Sequence, residues 1–318
     1  MQSAPREASA GPAPLDQARI NHLLEQLFAA LNGSALAVFV SIGHKSGLIK
    51  TMLQMPPATS EQIAERAGLQ ERYVREWLGG MVVCGIVDYA PDKGTYVLPP
   101  EHAIVLTGNA GPNVIAAHTE FIPILAGVEP YILQCFRSGG GPPREVYGFS
   151  GCVPVNDSNT DADLLRNSIE LVPGLPENLH EGIDAADFGC GRGHFVNAMA
   201  RAFPTSRFTG YDFEDSSIQI GRAEAETWGL TNARFELQDL ADLDVSSAFD
   251  LITTMDVIHD LAKPRAVLAT IYRSLRPGGT YLMGDSRGST SVHENIGQPL
   301  APYVFLWSLA GCMPASLR

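Results

Sequence analysis

The run DAADFGCGRGHFVNAMA, Asp184 to Ala200, constrains the fold more than any other stretch of the chain. Gly189, Gly191 and Gly193 stand at alternate positions between a short apolar segment and an alanine-rich amphipathic one. A glycine turn directly after a strand lets backbone approach a ligand closely, and it opens a helix whose first N–H groups point at that ligand. From Ile183 onward, short apolar segments alternate with helical patterns of about 10 to 15 residues, the βαβ order of a parallel sheet. Strands are expected at GIDAADF, RFTGYD, ARFELQD, FDLITTMD and TYLMGD. Each ends in an acid or a glycine, or is closely followed by one. Ligands of open parallel sheets bind outside the carboxyl ends of the strands, so Asp212, Asp239, Asp256 and Asp285 are expected on one edge, facing a ligand rich in hydrogen-bond donors.

Two nucleotide motifs are excluded. Gly189-x-Gly191 continues with Arg192, Gly193 and His194, and Gly191-x-Gly193 with His194, Phe195 and Val196, so neither register completes GxGxxG. No GxxxxGK[ST] occurs either. The pattern that is present, Asp187-x-Gly189-x-Gly191-x-Gly193, resembles motif I of the class I S-adenosylmethionine-dependent methyltransferases. Asp212 after the second strand, Asp239 in ELQDLADL, and the run FDLITTMDVIHDLAKPRAVLATIYRSLRPGGTYLMGD continue the resemblance through the fifth strand. It implies an α/β, Rossmann-like sheet that binds S-adenosyl-L-methionine. It also implies cofactor contacts at Asp187, Gly189, Cys190, Gly191, Gly193, Asp212, Phe213, Asp239, Leu240 and Asp256, with Asp212 on the ribose hydroxyls and Asp239 on the adenine amino group. For each acid a solvated strand end or a helix cap is the alternative, most of all for Asp239.

Towards the N-terminus, Ile20, Leu23, Leu24, Leu27, Phe28 and Leu31 are spaced three and four apart, which predicts a helix buried along one face. Next, Ser60 is placed to cap a short helix that Gly68 ends, Gln70 to Met81 predicts a second helix, and GIVDYAPDKGTYVL predicts a hairpin around Pro91-Asp92-Lys93-Gly94. Helix, helix, hairpin is the winged-helix order. DNA reading is not expected of it: Arg66, Arg72, Arg75 and Lys93 are outnumbered by Glu61, Glu65, Glu71, Glu76, Asp88 and Asp92, where a DNA-reading helix is basic. A protein–protein surface for a homodimer is the expectation. The chain-wide charge of −13 likewise gives no general attraction for phosphate backbones.

The whole chain also resembles a narrower group, the Rv2258c-like winged-helix methyltransferases, through SEQIAERAGLQERYVREWLGGMVVCGIVDY, the glycine run, VIHDLAKP and CMPASL. Some members of that group carry a transcriptional-regulator label. Four parts are therefore expected: a disordered tail 1–14, a winged-helix domain 15–107, a helical connector and substrate lid 108–180, and a cofactor-binding domain 181–318.

DVIHDL is the most informative string after the glycine run. Small-molecule O-methyltransferases with an N-terminal winged-helix domain carry a similar Leu-His-Asp run, whose His takes the acceptor's proton, and the resemblance puts His259 there with Asp260 beside it. A near-neutral imidazole suits that task, while a packing or capping role is the alternative. His118, Phe121, Tyr131, Phe136, Tyr147 and Phe149 supply either an apolar acceptor pocket or ordinary core.

The five cysteines are odd in number and show neither CxxC pairs nor zinc spacing, so no structural metal is expected. The first residues lack the apolar stretch of a signal peptide, and the late run LAPYVFLWSLAGCM is too short to span a bilayer. A soluble, cytoplasmic enzyme acting on a small molecule is the reading. Its rivals are a regulator that senses the cofactor and an inactive short form that partners a longer chain. The short remainder after Asp285 holds no recognisable sixth and seventh strands, so the fifth strand is expected at an open edge.

Overall fold

The computed structural model describes residues 15–107, 115–147, 168–286 and 288–317. The expected tail 1–14, together with Phe149 and Cys152, lies outside them. The chain divides into two compact units after Ile122.

In the first unit, helix α1 (Gln17–Lys45) starts at Asp16, whose carboxylate accepts from the N–H groups of Ala18 and Arg19. Left-handed Gly47 (φ 77°) turns the chain into α2 (Leu48–Met52). Helix α3 (Ser60–Ala67) is capped one residue earlier than expected, by Thr59. The reason is local: Thr59 is extended, so its hydroxyl reaches the Gln62 N–H while the Gln62 side chain accepts from the Thr59 N–H. The Ser60 hydroxyl instead donates to Glu71, 2.7 Å away, and ties α3 to α4 (Glu71–Val83). Gly68 ends α3 in the left-handed region at φ 68°, a conformation that costs glycine little. The hairpin β1 (Asp88–Ala90) and β2 (Thr95–Val97) pairs antiparallel, and α5 (Pro100–Thr107) follows. Ile63, Val74, Leu78 and Met81 fill the core, closed by Trp77, which donates its indole N–H to the Phe39 carbonyl.

The expectation of a buried α1 face is corrected. Leu24, Leu27, Phe28 and Leu31 are each at least half exposed, and only Val40, Ser41 and Gly43 of this helix are buried. The apolar spacing is real, but the small helix–hairpin core reaches only the last turns of a 29-residue helix. By length and hydropathy alone α1 is also able to cross a membrane.

In the second unit, β3 (Asp184–Phe188), β4 (Arg207–Asp212), β5 (Ala233–Leu237), β6 (Phe249–Met255) and β7 (Leu275–Gly284) form one parallel sheet in the order β5-β4-β3-β6-β7. Buried Phe195, Met199 and Ile218, from helices His194–Ala202 and Asp215–Thr227, pack with Leu251 in one core cluster. Val267 and Ile271 of helix Pro264–Ser274 pack with Phe188 and Ile252 in another. The strand order reverses at β3, which puts the crevice of a doubly wound sheet at its carboxyl end. Arg276-Pro277-Gly278-Gly279 lies within β7, which starts before the expected TYLMGD strand, and the register slips there against β6 in a bulge.

At the opposite ends of the strands, Asp184 accepts from Arg207 Nε at 2.6 Å and Arg276 at 2.9 Å, and Asp250 accepts from Arg276 at 2.5 Å. The two arginines hold the Asp184 carboxyl below its ordinary range. A smaller cluster joins helix Glu129–Ser138 to the segment Ala301–Ser316: Leu125, Val128, Ile132 and Tyr147 pack with Ala310, and the Tyr147 hydroxyl donates to the Ala310 carbonyl.

Candidate active site

The glycine loop is locked to β4. The carbonyl of Tyr211 accepts from the N–H groups of Gly189 and Cys190 at 2.8 and 2.9 Å, and Asp212 Oδ2 accepts from the Gly191 N–H at 2.9 Å. The three glycines serve different needs. A Cβ on Gly189 would stand 2.7 Å from Val257, and one on Gly193 would stand 2.2 Å from Phe235, so both are required by packing as well as by their positive φ. Gly191, left-handed at φ 52°, has nothing within 4 Å of that position. Its missing side chain therefore leaves the loop surface bare where a ligand is expected.

Asp212 is buried at 6% exposure, with Oδ1 accepting from the Glu214 N–H and Oδ2 from Gly191. Each oxygen keeps a second acceptor site, enough for two vicinal hydroxyls. Asp187 is buried behind the loop, where the Thr253 hydroxyl donates to it at 2.6 Å. Burial pushes its carboxyl up to about 7, the Thr253 bond opposes that, and neighbouring Asp212 adds to it. The Cys190 thiol is driven far above its ordinary value by burial, and Asp187 and Asp212 add to this, so it is no nucleophile at neutral pH.

Asp239 is exposed and accepts from the Ala241 N–H in its own turn, while Oδ2 is left over. Leu240 is a core side chain, so any part it plays at this edge falls to its backbone. Phe213, next to Asp212, is 64% exposed. Asp256 sits at φ 53°, a left-handed conformation costly for a residue with a Cβ, and its carboxylate accepts from the Ser286 hydroxyl.

His259 lies on a short 3₁₀ turn, Ile258–Asp260, beyond β6. Its Nδ1 is 2.5 Å from Asp285 Oδ1 and its Nε2 is 3.1 Å from Asp260 Oδ1. The ring is thus held from the end of β7, by an acid expected at this edge but given no role. A partner that the linear pattern gave no means to find is Cys312, which stands beside Asp260 and His259 at the end of a π-helical turn, Ser308–Cys312. Burial, followed by the charge of Asp260, pushes its thiol up to about 12.

The carboxyl edge thus carries Asp187, Asp212, Asp239, Asp256 and Asp285, and among the described residues none of them pairs with a lysine or arginine. Such an edge suits a ligand with hydroxyl donors and positive charge. Of the described connector aromatics in the second unit, Tyr147 is core, whereas Tyr131 and Phe136 are 41% and 71% exposed. His118 and Phe121 belong to the first unit. A cavity of about 380 Å³ lies elsewhere, lined by residues such as Asp184, Arg207, Asn232 and Arg234.

Comparison with known proteins agrees with this layout. An Rv2258c-like winged HTH domain model matches residues 34–108 and a methyltransferase domain model matches residues 179–301. Among curated proteins, a fatty-acid O-methyltransferase of Mycolicibacterium smegmatis is 29% identical over 150 residues, 46% of this chain and 54% of that enzyme. The chain spans about half the length, or less, of the curated relatives it matches. Among solved structures, human N-acetylserotonin methyltransferase in complex with SAM superposes with TM-score 0.65 at 16% identity, over 95% of this chain and 88% of that one. A mitomycin 7-O-methyltransferase gives 0.62 at 19%, over 93% and 89%. At these identities the likeness is one of fold. The chain is therefore built of an Rv2258c-like winged helix-turn-helix domain followed by a methyltransferase domain.

Proposed function

We propose that this chain is an S-adenosylmethionine-dependent methyltransferase that methylates an oxygen of a small-molecule acceptor. The observation that carries the reading is the carboxyl edge: a bare Gly191 loop, a buried Asp212 with two acceptor sites to spare, and five acids that pair with no lysine or arginine among the described residues. These groups fit the cofactor, whose ribose offers two hydroxyls and whose sulfonium and ammonium groups are cationic. Asp212 would hold the ribose, Gly189, Gly191 and Gly193 would line the chain beside it, and Asp239 Oδ2 would accept from the adenine amino group. When bound, the cofactor supplies an already activated methyl group.

The protein's remaining tasks are to align the acceptor and to take its proton. His259 suits the second task. With Asp285 accepting from Nδ1–H, the Nε2 lone pair is available, and the carboxylate stabilises the imidazolium that forms when Nε2 takes the hydroxyl proton. Asp260, on the Nε2 side, adds a second negative charge in favour of that cation. The names of the relatives include a fatty-acid O-methyltransferase, a ubiquinone biosynthesis O-methyltransferase and a trans-aconitate 2-methyltransferase, which supports a small acceptor without fixing which.

For the exposed apolar face of α1, the proposed partner is a second copy of this chain. On α4, Arg72 pairs with Glu76 and Arg75 with Glu71, so these bases are neutralised locally and a DNA-reading role gains no support. Free Cys84, Cys135, Cys190 and Cys312 support a reducing, cytoplasmic setting. Incubation with radiolabelled methyl donor and a panel of phenols, carboxylic acids and hydroxy acids tests the activity. Label transferred to at least one acceptor is the expected result, and donor binding without transfer to any would favour a non-catalytic partner.

A further inference from the structure

The two ring nitrogens of His259 face different neighbours. Nδ1 stands 2.5 Å from Asp285 Oδ1. Two ligands of a tetrahedral zinc, each about 2.0–2.1 Å from the ion, stand roughly 3.3 Å apart, so the Nδ1 side is a hydrogen bond and leaves no room for an ion. Nε2 stands 3.1 Å from Asp260 Oδ1, close to that ligand spacing. This oxygen is buried and faces the imidazole, while the Cys312 thiol lies within hydrogen-bond reach of the Asp260 carboxylate. A ring nitrogen of His259, an Asp260 oxygen and Cys312 Sγ all lie within 4.8 Å of one another.

We propose that His259 Nε2, Asp260 Oδ1 and Cys312 Sγ form a three-ligand site for a zinc-class divalent cation, with Asp285 holding the imidazole from behind. Nitrogen, carboxylate and sulfur together select a borderline-soft ion over magnesium or calcium. A carboxylate on the far ring nitrogen fixes the tautomer that presents Nε2 to the ion, the usual support of a zinc-bound imidazole. Asp256, which groups with His259 and Asp285, adds negative charge beside the site. On binding, the Cys312 S–H bond breaks, a sulfur–metal bond forms and one proton passes to solvent. The fourth position stays open to water.

The site stands independently of the proposed methyl transfer, but its consequence rests on it: an ion on Nε2 occupies the lone pair that proton abstraction needs. Metal occupancy and base function exclude each other, which makes the site inhibitory. The test is titration of the untagged, chelator-stripped full chain with zinc, read by competition with a chromophoric chelator, and with cobalt(II), read by thiolate-to-cobalt absorption. One equivalent is expected to bind with a clear thiolate band that excess magnesium does not displace. Cys312→Ser should abolish the band, and both it and Asp260→Asn should weaken zinc at least tenfold. Circular dichroism and S-adenosylhomocysteine binding should stay as in the parent, and Cys84→Ser should keep the band. Absence of a thiolate band in the parent chain overturns the proposal even if a variant fails to fold, and so does unchanged affinity in folded Cys312→Ser. Zinc bound at full stoichiometry with turnover unaffected upholds the site and removes His259 from proton transfer.

Discussion

The two ends of the parallel sheet treat the same residue type in opposite ways. At the amino ends, Asp184 and Asp250 are clamped by Arg207 and Arg276, and the Asp184 carboxyl is held low. At the carboxyl ends, Asp187, Asp212, Asp256 and Asp285 meet backbone N–H groups, hydroxyls and one imidazole. The difference separates structural acids from functional ones. An acid matched by arginine closes the electrostatics of the fold on itself, whereas acids left with spare acceptor sites keep a field directed outward, ready for a cationic, hydroxyl-bearing ligand.

Substitutions at the two ends should therefore fail in different assays. The largest effect is expected from His259→Ala, which should lower turnover on an accepted substrate by roughly 10²- to 10⁴-fold, the usual contribution of a positioned acid–base group. Its cofactor affinity, measured by titration, should match the parent. Asp212→Ala should weaken cofactor binding by about 1.5 to 3 kcal/mol, roughly 10- to 150-fold, because it removes acceptors for the ribose hydroxyls. A comparable loss from Arg276→Ala would erase the proposed division between the ends.

Asp187 sharpens the comparison through pH. Its folded value of about 7 lies above the ordinary 3.8, so the folded chain holds the proton more tightly than the unfolded chain does. The stability this provides is complete below about pH 4 and is lost as pH rises through about 7. Asp187→Asn, which keeps an acceptor for Thr253 and carries no charge, should gain thermal stability relative to the parent across that interval. The gain should be on the order of 1–3 kcal/mol at pH 8 and close to zero at pH 4. A gain independent of pH would show that the carboxyl is already ionised in the fold. The smallest effect is expected from Arg276→Ala, a slight loss of stability in denaturant unfolding with cofactor affinity unchanged, since its ion pairs are screened by solvent.

How much of this was legible in the sequence follows from how each part is built. The glycine loop, the strand-end acids and the α3–α4–hairpin order are local patterns, in which spacing alone fixes backbone geometry. Leu27 and Phe28 misled because periodicity reports an apolar stripe without saying whether anything in the same chain covers it. The surroundings of His259 were only half visible: Asp260 is its neighbour in sequence, but Asp285 and Cys312 arrive from the end of β7 and from a π-helical turn. No spacing rule links three such segments, since the parallel sheet and the late helices bring them together. In the sequence Cys312 stands out only as one of five scattered thiols and as the first residue of CMPASL.

The central claim, that the carboxyl edge of the sheet holds S-adenosylmethionine, is tested most directly by calorimetric titration of the full chain and of Asp212→Ala with S-adenosylmethionine and S-adenosylhomocysteine. The account predicts saturable one-to-one binding of both ligands by the parent and at least tenfold weaker binding by the variant. Absence of binding by a folded parent, or equal binding by the two chains, would contradict it.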